Sequence, residues 1–134
     1  MKTIARWGLG LAICLFAAEA ALAAAPEITI LSPKEWSTIH PDPKIGAVVV
    51  AEFEVKDFKI VDFTKVTAVE PGEGHIHIWL DNQPFSTIHT ASKVSVFGRV
   101  NPGKHTITPE LVNNNHTPLE PKVIKTVHFN MAAK

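Results

Sequence analysis

After residue 26, hydrophobic and polar positions alternate with a period of two along much of the chain. In "GAVVVAEFEVKDF", Val49, Ala51, Phe53 and Val55 share one parity, and Val50, Glu52, Glu54 and Lys56 share the other. Successive side chains on a strand point to opposite faces, so this is a strand with one buried and one wet face. The same pattern predicts a first strand over Glu27–Leu31 and a short strand or edge over Ile60–Val66. It predicts further strands in "HIHIWLD", over Phe85–Thr90 and over Lys93–Val100, and in "GKHTITPELV" and "KVIKTVHFNM". Proline recurs at 33, 41, 43, 71, 84, 102, 109, 118 and 121, and no segment reads as a helix. Seven or so short strands separated by turn residues predict an all-β fold, an immunoglobulin-like antiparallel β-sandwich of about seven strands. A small barrel is the alternative. The Cys…Trp…Cys hallmark of antibody domains is missing, so the alternation alone carries this assignment.

The pattern changes before residue 26. "MKTIARWGLGLAICLFAAEAALAAAP" has Lys2 and Arg6, an uncharged apolar stretch from Gly8 to Ala18, and small residues with the A-x-A spacing of Ala21 and Ala23. That order predicts a cleaved signal peptide over residues 1–25, with residues 26–134 as one domain. The apolar stretch is shorter than the roughly 20 residues of a membrane span, so no membrane association is expected after cleavage. Cys14 follows bulky Ile13 in mid-stretch, unlike a lipoprotein acylation site, and its removal leaves no cysteine for a disulfide or a thiolate ligand. The expected location is periplasmic or secreted.

Cleavage turns 13 basic and 13 acidic residues into 11 and 12. This near-neutral balance gives no basic footprint for nucleic acid or for an anionic membrane surface. Histidine is the unusual component. All seven lie after residue 25: His40, His75, His77, His89, His105, His116 and His128.

In "HIHIWLD", Ile76, Ile78 and Leu80 form the natural core face. His75, His77, Trp79 and Asp81 share the other, so both imidazoles can reach one ion. A three-residue turn at Asn82, Gln83 and Pro84 would pair Asp81 with Phe85, Trp79 with Thr87 and His77 with His89. If "HIHIWLD" and "GKHTITPELV" are antiparallel neighbours in one sheet, the segment leading to His116 lies beside His75. Four histidines from three segments then converge: His75, His77, His116 and His89. Imidazoles without thiolates suit copper, zinc or nickel, and a blue-copper site is excluded for want of cysteine. The other histidines read as ordinary. His105 is expected to face the core at the opposite end as a hydrogen-bonded residue, His128 to be solvated and His40 to lie in a turn. Asp81 is expected to shape the hairpin with Asn82. Asn113, Asn114 and Asn115 read as turn formers or as partners of a ligating imidazole.

"GHIHIWLDN", "NPGKHTI" and "LVNNNHTPLEP" together resemble a family of small exported bacterial domains with G-H-x-H-x-x-x-D, P-G-x-H-T and N-x-H-x-P-x-x-P motifs. The resemblance runs from Pro71 to the C-terminus and implies an immunoglobulin-like sandwich and export, without an assigned activity. Three functions follow from these residues. The first is a periplasmic metal-binding protein that buffers or delivers copper or zinc and meets a periplasmic protein partner. The second is a metal-free interaction module using the end loops and Trp79 against a protein or glycan. The third is a small metalloenzyme, for which Glu73 is the available general base beside the cluster.

Overall fold

A computed structural model describes residues 24–83 and 88–134. The expected signal peptide lies outside the described residues up to Ala23, and so do Phe85 and Thr87. The described residues form ten strands and no helix: β1 Glu27–Ser32, β2 Ser37–Ile39, β3 Val48–Lys56, β4 Lys59–Ile60, β5 Glu73–Leu80, β6 Ile88–Thr90, β7 Val94–Gly98, β8 Gly103–Asn113, β9 Pro118–Ile124 and β10 Val127–Met131.

The strands build two sheets, a small one ordered β1-β3-β7 and a larger one ordered β2-β10-β8-β5-β4. In the larger sheet β6 also pairs with β5, and β9 with β8. The core lies between the sheets. Ile28, Val49, Ala51 and Phe53 meet Ile76, Ile78, Ile107, Leu111, Phe129 and Met131 there. This two-layer β-sandwich carries the core faces that alternation predicts, with Val50, Glu52, Glu54 and Lys56 outward on β3.

The strand count exceeds seven for local reasons. "KVIKTVHFNM" divides into β9 and β10, which pair successively with the same edge of β8, β10 up to Ile107 and β9 from Glu110. The gap falls at Thr108–Pro109, where proline has no amide to donate to a ladder. Lys125 N donates to Pro109 O across it at 3.1 Å. Ile60–Val66 yields only two-residue β4, because the Asp62 carboxylate accepts from Thr64 N and Oγ1 and folds the chain into a turn. The sandwich is also not purely antiparallel: β4 runs parallel to β5, and β2 parallel to β10.

β5 and β8 are the central antiparallel pair, with His75 opposite Val112, His77 opposite Glu110 and Trp79 opposite Thr108. Their junction is tight at Gly74. A Cβ there would fall on the Val112 carbonyl oxygen, so only glycine lets the two backbones approach this closely. After β5 the chain turns at Leu80–Gln83, with Asp81 and Asn82 both at positive φ and Gln83 N donating to Leu80 O. That is a tight turn of the I′ kind at the start of the connection to β6, while the β5–β6 register stays symmetric about Gln83, as the sequence suggests.

Candidate metal centre

Parity puts Glu73, His75, His77 and Trp79 on the face of β5 away from the core. The pairing His77–His89 read from the sequence is present between β5 and β6. The pairs Asp81–Phe85 and Trp79–Thr87 involve residues outside those described. His116 arrives from the tight hairpin joining β8 to β9. Asn113 N donates to Thr117 O, His116 N donates to Asn113 O, and the Asn115 carboxamide oxygen accepts from Thr117 N and Oγ1. His116 itself sits at φ 66°, in the left-handed region that is uncommon for a residue other than glycine and is found in tight turns such as this one.

The four imidazoles meet. His75 Nε2 lies 3.0 Å from His116 Nδ1, and His77 Nε2 lies 3.3 Å from that same nitrogen. His89 stacks on His77 with ring centroids 4.1 Å apart. One nitrogen from each of His75, His77, His89 and His116 lies within 4.8 Å of the others. An imidazole nitrogen carries either one lone pair or one proton. His116 Nδ1 therefore cannot make full hydrogen bonds to both Nε2 atoms, whereas a cation among them would satisfy all three. Nitrogens bound tetrahedrally at about 2.0–2.1 Å from zinc stand about 3.3 Å apart, close to the two separations seen here. The donor set fits an imidazole-ligated ion, and this buried cluster could hold a metal.

The surroundings keep His75 and His77 neutral. His75 is fully buried and His77 is 9 % exposed, contrary to the open polar face that alternation alone suggests. Phe63, from the turn after β4, makes the cover, its ring centroid 4.5 Å from that of His75 and 5.5 Å from that of His116. Burial, and then the neighbouring imidazoles, push His75 and His77 down to about 4, and His89 is lowered for the same reasons. Neutral imidazole is the form that binds metal. His89 and His116 remain exposed, giving the cluster a solvent side. His75 Nδ1 is buried without a hydrogen-bond partner, so the acceptor that usually orients a ligating imidazole is missing on this residue.

The remaining residues separate from the cluster. Glu73 shares its face but is bound by Lys59 Nζ at 3.0 Å and by Asn114 Nδ2 at 3.2 Å. These bonds hold its carboxyl below the usual carboxylate range, which weakens it as a general base. Asn114 ties the loop over the site to the sheet through Ala68 O, while Asn113 and Asn115 serve their own hairpin. None of the three bonds an imidazole of the cluster. Trp79 is half-buried, edge-on to His77. His105 is hydrogen-bonded as expected, to the Asp81 carboxylate and Asn101 O, both at 2.7 Å. Asp81 also accepts from Thr106 N, so it pins β8 as well as shaping its turn. His128 is only partly solvated; it stacks on Trp36 and its Nδ1 pairs with Glu35 at 2.9 Å. His40 is exposed and stands apart.

Two neighbours of the cluster escape the sequence reading. Phe63 falls in the segment expected as a strand or edge over Ile60–Val66, which the structure folds as a turn instead. Glu110, directly across from His77, is visible only once the β5–β8 register is fixed. The alternation Thr106, Thr108, Glu110, Val112 in β8 is the signal that could have found it.

Residues 12–134 match a family of unknown function, DUF6130, and the chain belongs to that family. No curated protein is similar to it. Among solved structures, the crystal structure of an engineered protein from a structural genomics consortium is similar in fold, with a TM-score of 0.51 over 84% of this chain at 13% identity. The chain spans only 21% of that protein's length, and the likeness concerns fold alone.

Proposed function

We propose that this member of the DUF6130 family is an exported metal-binding protein, periplasmic or secreted, that buffers or delivers copper or zinc. His75 Nε2, His77 Nε2 and His116 Nδ1 would hold the ion, and His89 would complete the set from the solvent side. The observation that carries this reading is the approach of two Nε2 atoms, at 3.0 and 3.3 Å, to the single Nδ1 of His116. Imidazole donors without thiolate favour copper and zinc among the common ions. A bound ion would supply Lewis acidity at this position. The chain's own contribution is to keep His75 and His77 neutral by burial, to fix both on a central strand, and to leave His89 and His116 where an ion can enter or pass to a partner protein. Export is supported by the charged, apolar, small-residue order of the first 25 residues.

The test is a calorimetric titration of the purified protein, lacking residues 1–25, with Zn(II) and with Cu(II). One equivalent should bind, and His75→Ala combined with His77→Ala should remove it. Absence of stoichiometric binding, or binding that survives the double replacement, overturns the reading and leaves a metal-free interaction module.

A further inference from the structure

We infer that Glu110 is the counter-charge of the histidine centre and biases it toward divalent over monovalent ions. This rests on the metal-binding reading above. Glu110 lies directly opposite His77 in the β5–β8 ladder, so the two side chains share a face with Cβ atoms about 5 Å apart. A row of polar side chains, His89, His77 and Glu110, thus crosses three adjacent strands.

Glu110 is a costly residue in that position. It is only 5 % exposed, and its Oε1 is buried without a hydrogen-bond partner. The nearby cation, Lys122 Nζ, stands 3.9 Å away, and its own side chain is 59% exposed to water. A buried carboxylate oxygen with no donor destabilises a fold unless something compensates it. The histidines beside it are neutral ligands and would leave the full charge of an ion unbalanced. The other carboxylate on that face of β5, Glu73, is committed to Lys59 and Asn114. A cation in the cluster and the anion of Glu110 each supply what the other lacks. Coulomb attraction scales with ionic charge, so the carboxylate strengthens a divalent ion's binding about twice as much, in free energy, as a monovalent ion's.

Chelator competition with Zn(II) and, anaerobically, with Cu(I) on wild type, Glu110→Gln and Lys122→Gln tests this. Glu110→Gln should weaken Zn(II) about 10- to 100-fold, the usual effect of a group just outside the ligands. It should weaken Cu(I) by only about the square root of that factor. The melting temperature of the metal-free variant should stay level or rise, since a buried carboxylate whose Oε1 accepts no hydrogen bond has gone and its one ion pair, to exposed Lys122, is long. Lys122→Gln, at an exposed position, should tighten Zn(II) about two- to threefold, the size of a surface charge effect. Equal losses for both ions together with a less stable metal-free protein would reduce Glu110 to a structural residue and overturn the inference. Unchanged Zn(II) affinity in Glu110→Gln would also overturn it while leaving the metal site intact. Should Glu110→Gln fail to fold, Lys122→Gln decides, and an unaltered Zn(II)-to-Cu(I) preference there rejects the idea. A wild type that binds neither ion fails at the earlier step, so the two failures are distinguishable.

Discussion

His75 and His77 are ionisable side chains in buried positions, and that makes stability depend on pH. An unfolded imidazole takes its proton near pH 6.5, whereas in the fold these two take theirs only near 4. Between those values the unfolded chain binds more protons than the native one, so stability is lost as pH falls from 6.5 toward 4 and is level above about 7. Each group should cost about 2 kcal/mol by pH 5, since each tenfold difference in proton affinity between the folded and unfolded chain is worth about 1.4 kcal/mol. Urea denaturation of the metal-free protein at pH 7.5 and pH 5 should show this loss, and His75→Leu with His77→Leu should remove most of it; an equal loss in the double variant would refute the assignment. At this scale the sequence was informative about ligands and silent about their setting. Parity alone separates Ile76 and Ile78 from His75 and His77, and a sheet neighbour for "HIHIWLD" brings His116 and His89 into reach. The burial of the pair depends on Phe63, which a turn carries over the sheet from the segment expected to be a strand or edge over Ile60–Val66.

Long alternating segments were legible as strands because apolar and polar residues alternate along β3, β5 and β8, although only β3 has one buried and one wet face, β5 and the second half of β8 being buried on both. β2 was not, since three residues are too short to display a period, and of the short strand expected over Ile60–Val66 only Ile60 falls in two-residue β4. β9 was hidden by prolines at both 118 and 121, tolerated because it lies along an edge. The element on which the site depends is the β5–β8 junction, since it aligns His75 with the hairpin that presents His116. Gly74 is its closest point: an added Cβ would meet the Val112 carbonyl and lie 2.9 Å from the Phe58 ring. The carbonyl belongs to the ladder and cannot swing aside without parting the two strands. Gly74→Ala should therefore destabilise the protein by about 3 kcal/mol and weaken Zn(II) binding as well. Thermal melts and a Zn(II) titration of the variant check both effects; a variant as stable as wild type would show that the junction has room to yield.

Across the whole molecule, the small sheet supplies core and the large sheet supplies every histidine of the cluster. The four side chains come from β5, β6 and the β8–β9 hairpin, and span positions 75 to 116. With Cys14 the chain's one cysteine, no internal disulfide can cross-link these segments. An ion held by His75, His77 and His116 would join the central strand to the far hairpin, a link present in the native state and absent from the unfolded chain. Binding to the native state alone adds about 2.7 kcal/mol when free metal is 100 times the dissociation constant. For a domain of this size that corresponds to a rise in melting temperature of roughly 10 °C. Zn(II) should produce such a rise in wild type, excess chelator should abolish it, and His116→Ala should lose it while keeping the strand signature in circular dichroism. The last comparison separates the centre from casual binding at His40 or His128, because both of those remain in the variant. A full shift in His116→Ala would mean that the stabilising ion sits elsewhere.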